Sequence, residues 1–175
     1  MKVSEYNILP SILTNRWESG VGELVNQMGL QNVLVISNVE DDLDNQIYYA
    51  KITRIGTGYS KLPYKDGQFE CVILMYSARI DEKLESRLLE MKRVCKEGKY
   101  VFVVDTIKVT SGIAKVINKK WVKESHANYG PKAQSFLEAA AIKQAMADAG
   151  LRRPYMRKLF LGTCNVFSAT KHTES

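Results

Sequence analysis

The chain has 175 residues, of which 45% are hydrophobic and 25% are charged, a composition that disfavours the disordered and fibrous classes. No apolar run approaches the roughly 18 residues that cross a membrane, and the start of the sequence lacks the apolar segment of a signal peptide. We therefore expect a cytoplasmic protein with no membrane segment. With two histidines and three widely spaced cysteines, we also expect buried free thiols and no metal centre.

The first half of the sequence predicts one helix followed by three strands. Apolar residues recur at helical spacing over residues 14–29, and the run at 32–37 is almost entirely apolar, as in a central parallel strand. A second strand is predicted at 50–55 and a third at 70–75. Between these two strands, glycine, proline and aspartate indicate a loop rather than a helix.

The second half alternates helices and strands before it ends in a hairpin. Residues 81–95 show one apolar stripe, residues 100–104 form another buried strand, and short and long helices are predicted at 113–122 and 133–149. The segments 155–160 and 165–170 predict an antiparallel hairpin. The result is an α/β, Rossmann-like fold with a mostly parallel sheet flanked by helices, over a single domain of residues 1–175 (an N-terminal helical segment 1–31 and a core 32–171).

Basic residues are concentrated late in the chain, although the net charge is only +6. One cluster runs from Lys115 to Lys132, and a second group lies at 152–158. Such clusters are either solvated faces or surfaces for an anionic partner, and the sequence leaves both interpretations open.

Four segments in this order resemble class I S-adenosylmethionine (SAM)-dependent methyltransferases of the type 11 kind. Residues 61–74, KLPYKDGQFECVIL, are similar to the run that leads into the fourth strand of that family. Residues 88–99, LLEMKRVCKEGK, resemble the stretch before the fifth strand. Asp105 stands at the usual end of that strand, and ADAGL at 147–151 resembles the helix end before an antiparallel sixth and seventh strand. The resemblance implies a shortened class I methyltransferase fold with SAM as cofactor.

The cofactor half departs from the pattern of that family. The family carries a Gly-x-Gly loop after its first strand, whereas residues 36–42 read ISNVEDD, and three successive carboxylates there would repel the carboxylate of SAM. Gly56 and Gly58 stand where the family places acidic anchors, and the connections at 37–50 and 56–70 are short for parallel crossovers. In a competing alignment, Gly56 and Gly58 are themselves the glycine motif.

Candidate site residues follow from the rule that ligands bind beyond the carboxyl ends of parallel strands. The cofactor-binding candidates are Ser37, Asn38, Gly56, Gly58, Tyr76 and Ser77. Three of them have a structural alternative: Ser37 and Asn38 as helix caps, and Tyr76 as a half-buried edge residue. Asp105 is either a general base or a cap.

Two functions therefore remain open at this stage. In the first, the chain is a methyltransferase-like pseudoenzyme whose degenerate motifs leave weak or no SAM binding, with a binding, regulatory or partner-subunit role, alone or as a homodimer. In the second, the chain is an active SAM-dependent methyltransferase with a shortened cofactor pocket. The loss of several separate anchors favours the first.

Overall fold

The structure is a computed structural model that describes residues 11–38, 41–78, 83–109, 112, 115–116 and 137–172. Ten helices and strands in these residues organise the fold, in the chain order α1 (Ser11–Gln27), β1 (Asn32–Ile36), α2 (Leu43–Gln46), β2 (Lys51–Ile55), β3 (Phe69–Met75), α3 (Leu84–Val94), β4 (Cys95–Asp105), α4 (Ala139–Asp148), β5 (Leu151–Leu159) and β6 (Cys164–Lys171).

The six strands form one sheet in the order β2-β1-β3-β4-β6-β5. Strands β1 to β4 run parallel, and β6 is antiparallel to both β4 and β5. Apolar runs form the central strands because both faces are covered: all but the first residue of β1 are buried, as are Cys71–Met75 of β3. The predicted α/β fold with its closing hairpin is confirmed.

The connection from β2 to β3 has no helix. Residues 56–68 pass over the sheet as turns and bends, and Leu62, which is buried, packs in the core between the sheet and α3. The described part of the chain thus has six strands where the resemblance implies seven, in agreement with the expectation that one strand–helix unit is shortened. Strand β2 becomes an edge of the sheet.

Two hydrophobic clusters cover the two faces of the sheet. Helices α3 and α4 pack on one face, around Leu88, Met91 and Ile142. Helices α1 and α2 pack on the other, where Trp17 and Leu43 are fully buried. The three cysteines are buried and unbridged, as predicted.

Some boundaries differ from the sequence-based expectation. Strand β4 begins at Cys95 rather than at residue 100, because Cys95 pairs with Phe69 and the register then shifts before Tyr100. Gly98, at a φ of 69°, supplies the left-handed conformation in this stretch. The predicted helix at 113–122 falls almost wholly outside the described residues, and so does the Lys115–Lys132 cluster, apart from an exposed Lys115.

Candidate functional site

The carboxyl ends of β1 to β4 meet at one edge of the sheet. Strand order reverses at β1, since the chain steps from β1 to β2 on one side and continues with β3 on the other. In open α/β sheets this reversal creates a crevice in which ligands bind. The crevice lies beside β1 rather than after the edge strand β2, so the alignment that makes Gly56 and Gly58 the glycine motif is disfavoured.

Two hydrogen bonds of the Asn38 side chain join the ends of β1 and β2. The amide of Asn38 donates to Thr57 Oγ1, and its Oδ1 accepts the backbone N–H of Thr57 at 2.9 Å. Ser37 donates its backbone N–H to Ile55 at 3.0 Å. A Cβ on Gly56 would lie 3.0 Å from Asn38 Oδ1, so Asn38 and Gly56 are in close contact. Neither Ser37 nor Asn38 is the cap of α2, which begins after Asp42.

A buried arginine fixes the loop that follows β2. Arg87 of α3 donates from its guanidinium to the carbonyls of Thr57 and Tyr59, and it is only 8% exposed. Gly58 lies between these carbonyls and is exposed, with no atom within 4 Å of an added Cβ. The loop is therefore tied to α3 on one side and to Asn38 on the other.

The acidic segment after β1 is partly neutralised by Arg54 of β2. Its guanidinium contacts Asp41 Oδ1 at 2.7 Å and Asp44 Oδ1 at 3.0 Å. The Asp41 side chain is fully buried, and its Oδ1 also accepts the N–H of Leu43 at 3.1 Å. Arg54 therefore compensates one of the three successive carboxylates, that of Asp41, and also Asp44, while the predicted repulsion of an anion stays a prediction.

Glu18 of α1 reaches the same segment from the other direction. Its Oε2 accepts the backbone N–H of Asp42 at 2.9 Å, and Glu18 is 1% exposed. Burial raises the pKa of Glu18 to about 7, and the neighbouring Asp41 and Asp42 act in the same direction, against the hydrogen bond from Asp42. A carboxyl group of the protein itself, that of Glu18, therefore accepts the backbone N–H that directly precedes α2.

Tyr76 occupies the end of β3 with a strained backbone. It is 5% exposed, its φ is 53°, and its N–H donates to the carbonyl of Val104 at 2.7 Å. The ring lies 5.9 Å from that of Trp17. Burial raises the pKa of the Tyr76 hydroxyl well above its usual value, as do Cys164 and the nearby carboxyl groups. The alternative of a half-buried edge residue understates the burial of Tyr76, because its side chain is almost completely buried.

Ser77 and Asp105 are buried next to Tyr76. The Ser77 hydroxyl donates to the carbonyl of Met75 at 2.9 Å. Asp105 accepts the N–H of Ala78 at 2.9 Å and that of Thr106 at 2.8 Å, so its carboxyl group joins the ends of β3 and β4. These contacts do not test either predicted role of Asp105, general base or cap.

The structure brings the six predicted candidates to one edge of the sheet, but it also places residues there that the sequence did not single out. Trp17, Glu18, Arg54 and Arg87 come from three other elements, and only tertiary packing reveals their proximity. A weak sequence signal existed for Glu18, since an acidic residue beside Trp17 interrupts the apolar face of an amphipathic helix.

The described residues contain no group of three or more histidine, cysteine, aspartate or glutamate side chains arranged to hold a metal ion. In the same part of the chain, no helix has the length and apolar character needed to span a membrane.

A basic groove lies at the opposite edge of the sheet. It has a volume of about 780 Å³, and its lining includes four cations, Lys92, Arg93, Arg152 and Lys171, and one anion, Asp66. Lys171 donates to the carbonyls of Arg93 and Cys95 at the end of α3, and Arg93 pairs with Asp66 and Glu90. Much of this charge therefore already has structural partners.

Comparison with protein families identifies the class. Residues 23–171 match the ubiE/COQ5 methyltransferase family, and the chain belongs to that family. The class I methyltransferase resemblance is therefore confirmed. Curated proteins gave no match.

Solved structures share the fold at low sequence identity. A SAM-dependent methyltransferase from Aquifex aeolicus is 15% identical with a TM-score of 0.63, and the match covers 98% of this chain and 99% of that one. A chain of the complex that contains the Haloferax volcanii Trm112 methyltransferase activator is 9% identical with a TM-score of 0.63, covering 91% of each. PigF with SAH is 12% identical with a TM-score of 0.64, covering 92% of this chain and 56% of that one.

Proposed function

We propose that this protein is a methyltransferase-like pseudoenzyme, a cytoplasmic single domain over residues 1–175 that binds SAM weakly or not at all. In this proposal it acts as a regulatory or partner subunit. The observation that carries the proposal is the position of Tyr76, enclosed at the end of β3 against Trp17.

The crevice beside β1 is where this fold holds ligands. Trp17 is fully buried and Tyr76 nearly so, and both pack in the cluster that contains Val35 of β1 and Met75, the last residue of β3. Their rings take up space next to the crevice, and the tight packing of protein interiors leaves little room for a ligand beside them.

The backbone after β1 also offers little to the methionine end of SAM. The N–H of Asp42 is already bonded to Glu18, and that of Leu43 to Asp41. A ligand carboxylate placed here would have to displace these two internal acceptors from the backbone N–H groups. With no glycine between residues 37 and 42, the backbone also lacks the freedom for a tight turn. The residues present do not fit SAM in the usual mode of the family.

An active enzyme with a shortened pocket is the alternative. It is favoured by membership of the ubiE/COQ5 methyltransferase family and by the similarity to PigF, whose structure holds SAH. In that case the cofactor would be bound by Ser37, Asn38, Gly56, Gly58, Tyr76 and Ser77. The hydrogen bonds between Asn38 and Thr57 would have to break first.

A protein partner is supported by two observations. One structural neighbour comes from a complex with the Trm112 methyltransferase activator. In this chain, Tyr48 and Tyr49 are 71% and 81% exposed directly before the edge strand β2, and exposed tyrosines are enriched at protein interfaces. A second copy of the chain is the simplest candidate, and an anionic partner for the Lys115–Lys132 cluster is the alternative.

Isothermal titration with SAM and with S-adenosylhomocysteine tests the proposal. We expect no heat from the wild-type protein up to millimolar ligand, and binding in the micromolar range would overturn the proposal. Tyr76→Ala enlarges the crevice, with Tyr155→Ala, at a 65% exposed tyrosine, as its matched control. Weak binding gained by Tyr76→Ala alone would identify Tyr76 as the obstruction.

Light scattering during gel filtration tests self-association. A mass of 19.8 kDa corresponds to the monomer, and twice that mass to the homodimer. If the dimer forms, we expect the double variant Tyr48→Ala, Tyr49→Ala to weaken it, while Tyr155→Ala leaves it intact.

A further inference from the structure

The two edge strands of the sheet, β2 and β5, differ in how they are protected against pairing with a further strand. Strand β5 carries four cationic side chains and Pro154. Its register against β6 also shifts between Arg152 and Tyr155. Charged side chains, proline and bulges on an edge strand all hinder association from edge to edge. Strand β2 has no proline and no register shift against β1, so its edge is the more open of the two.

The hydrogen bonds between β1 and β2 show which residues of β2 present their backbone to the outer edge. Lys51 donates its N–H to the residue before β1 at 2.7 Å, and Ile55 accepts the N–H of the residue after β1 at 3.0 Å. The side to which a residue directs its N–H and C=O groups alternates along a strand. Thr53 therefore also faces β1, while the backbone groups of Ile52 and Arg54 point outward. Among the described residues, no strand pairs with β2 on that side.

Exposed tyrosines flank both ends of β2. Tyr48 and Tyr49 precede the strand and are 71% and 81% exposed, and Tyr59 follows it at 51% exposure. The rings of Tyr48 and Tyr49 lie edge to face, with centroids 6.4 Å apart. Tyrosine is enriched in protein interfaces relative to the rest of the surface, so the aromatic side chains and the outward backbone groups indicate a contact surface along the same edge.

The charges near β2 suit contact with an identical surface. Arg54, one of the two cations of β2, is paired with Asp41 and Asp44. A two-fold symmetric contact brings a surface patch against its own copy, so a patch with a strong net charge repels itself. The four cations of β5 would have this effect, whereas the charges around β2 largely compensate one another. A second copy of the chain is therefore the partner that the β2 edge fits.

We propose that the β2 strands of two copies pair antiparallel about Thr53 and join the two six-stranded sheets into one. In this register Ile52 of each copy lies opposite Arg54 of the other, so every outward N–H of the two strands finds a carbonyl. A symmetric pairing centred on Ile52 or on Arg54 would leave half of these hydrogen bonds unmade. This pairing specifies how the second copy named in the proposed function is held, and it rests on that self-association.

The tyrosines add contact area to the paired strands. Antiparallel pairing brings Tyr48 and Tyr49 of each copy beside Tyr59 of the other, at both ends of the paired strands. With their present exposure, burial of the three side chains removes roughly 300–500 Å² per copy from solvent. Together with the strands themselves, the total area for two copies approaches the about 1,200 Å² at which stable interfaces begin.

Charged side chains at the symmetry axis test the pairing, because the half-buried Thr53 lies opposite its own copy. Thr53→Glu places two carboxylates face to face, and Thr53→Lys places two ammonium groups there, so we expect each variant to raise the Kd of the dimer at least about tenfold. An equal mixture of the two variants should restore the dimer, since Glu then faces Lys. The controls Tyr155→Glu and Tyr155→Lys, on the opposite edge strand, should leave the Kd unchanged. Sedimentation equilibrium measures all five proteins and the mixture.

Amide hydrogen exchange, followed by NMR, gives a second readout that needs no substitution. The N–H groups of Ile52 and Arg54 should be protected in the dimer and lose this protection on dilution, whereas that of Thr53, bonded to β1, should be protected at both concentrations. A wild type that stays monomeric at millimolar concentration overturns the pairing, whatever the titration with SAM shows. A dimer that survives in both Thr53→Glu and Thr53→Lys overturns the pairing through β2 but leaves self-association intact.

Discussion

Trp17 donates its indole N–H to Thr163 Oγ1 at 2.9 Å, across 146 positions of the sequence. The contact joins α1 to the turn between β5 and β6, and both residues are fully buried. The Thr163 hydroxyl also donates to the carbonyl of Phe160 at 2.8 Å. One side chain thus connects the N-terminal helix with the closing hairpin at the candidate site.

Thr163→Val should therefore destabilise the fold. Valine has nearly the shape of threonine but leaves the buried indole N–H of Trp17 without an acceptor, at a cost of about 1–3 kcal/mol. Urea unfolding measures the difference. Thr170→Val, in the same strand region, serves as the control, because its hydroxyl bond to Arg152 is exposed and we expect a change within about 0.5 kcal/mol. Equal decreases in the free energy of unfolding of the two variants would show that the hydrogen bond between Trp17 and Thr163 does not stabilise the fold.

Glu18 should make stability depend on pH. Burial raises its pKa in the folded protein from 4.5 to about 7, so the folded state holds the proton more tightly than the unfolded state. The resulting stabilisation is complete below pH 4.5 and is lost as the pH rises through about 7.

Glu18→Gln tests this expectation, since glutamine still accepts the N–H of Asp42 but carries no charge. We expect the free energy of unfolding of the wild type to fall between pH 5 and 8 more steeply than that of Glu18→Gln. Glu23→Gln, at an exposed position of the same helix, should follow the wild type. Identical slopes for all three proteins would show that Glu18 is not the titrating group.

The two ion pairs of Arg54 should differ in strength. Asp41 is fully buried, whereas the side chain of Asp44 is 59% exposed. Asp44→Asn should therefore cost at most about 1 kcal/mol, while Asp41→Asn should cost about 1–3 kcal/mol because it weakens the hydrogen bonds that the buried Asp41 carboxyl group makes with Arg54 and Leu43. Urea unfolding at low salt measures the free energy of unfolding of both variants. A larger decrease for Asp44→Asn than for Asp41→Asn would contradict the argument from burial.

The sheet could be predicted from sequence because its strands are short apolar runs separated by turn residues. Residues 32–36 and 71–75 are buried on both faces, and such runs are recognisable without tertiary information. The direction of the closing strands and the short connection before β3 followed from the same patterns.

The candidate site could be predicted only in part. The ends of the predicted strands placed Ser37, Asn38, Tyr76 and Ser77 together at one edge of the sheet, since the carboxyl ends of parallel strands converge. The contacts of Glu18 with residue 42, and of Arg87 with residues 57 and 59, depend on how helices pack across the sheet. No local pattern encodes these contacts, and the same holds for the ion pair between Arg54 and Asp41, which are 13 positions apart.

Gly22 tests the packing that positions α1 over the site. A Cβ at this position would lie 2.7 Å from the carbonyl oxygen of Gln46 and 2.9 Å from its carbonyl carbon, so α1 and α2 approach each other through backbone atoms. Replacement of glycine by alanine inside a helix normally stabilises by about 0.5–1 kcal/mol. Here we expect the opposite sign for Gly22→Ala, a loss of about 1–3 kcal/mol from overpacking. Gly58→Ala, with open space around it, should leave urea unfolding nearly unchanged, and a stabilised Gly22→Ala variant would show that α1 does not lie this close to α2.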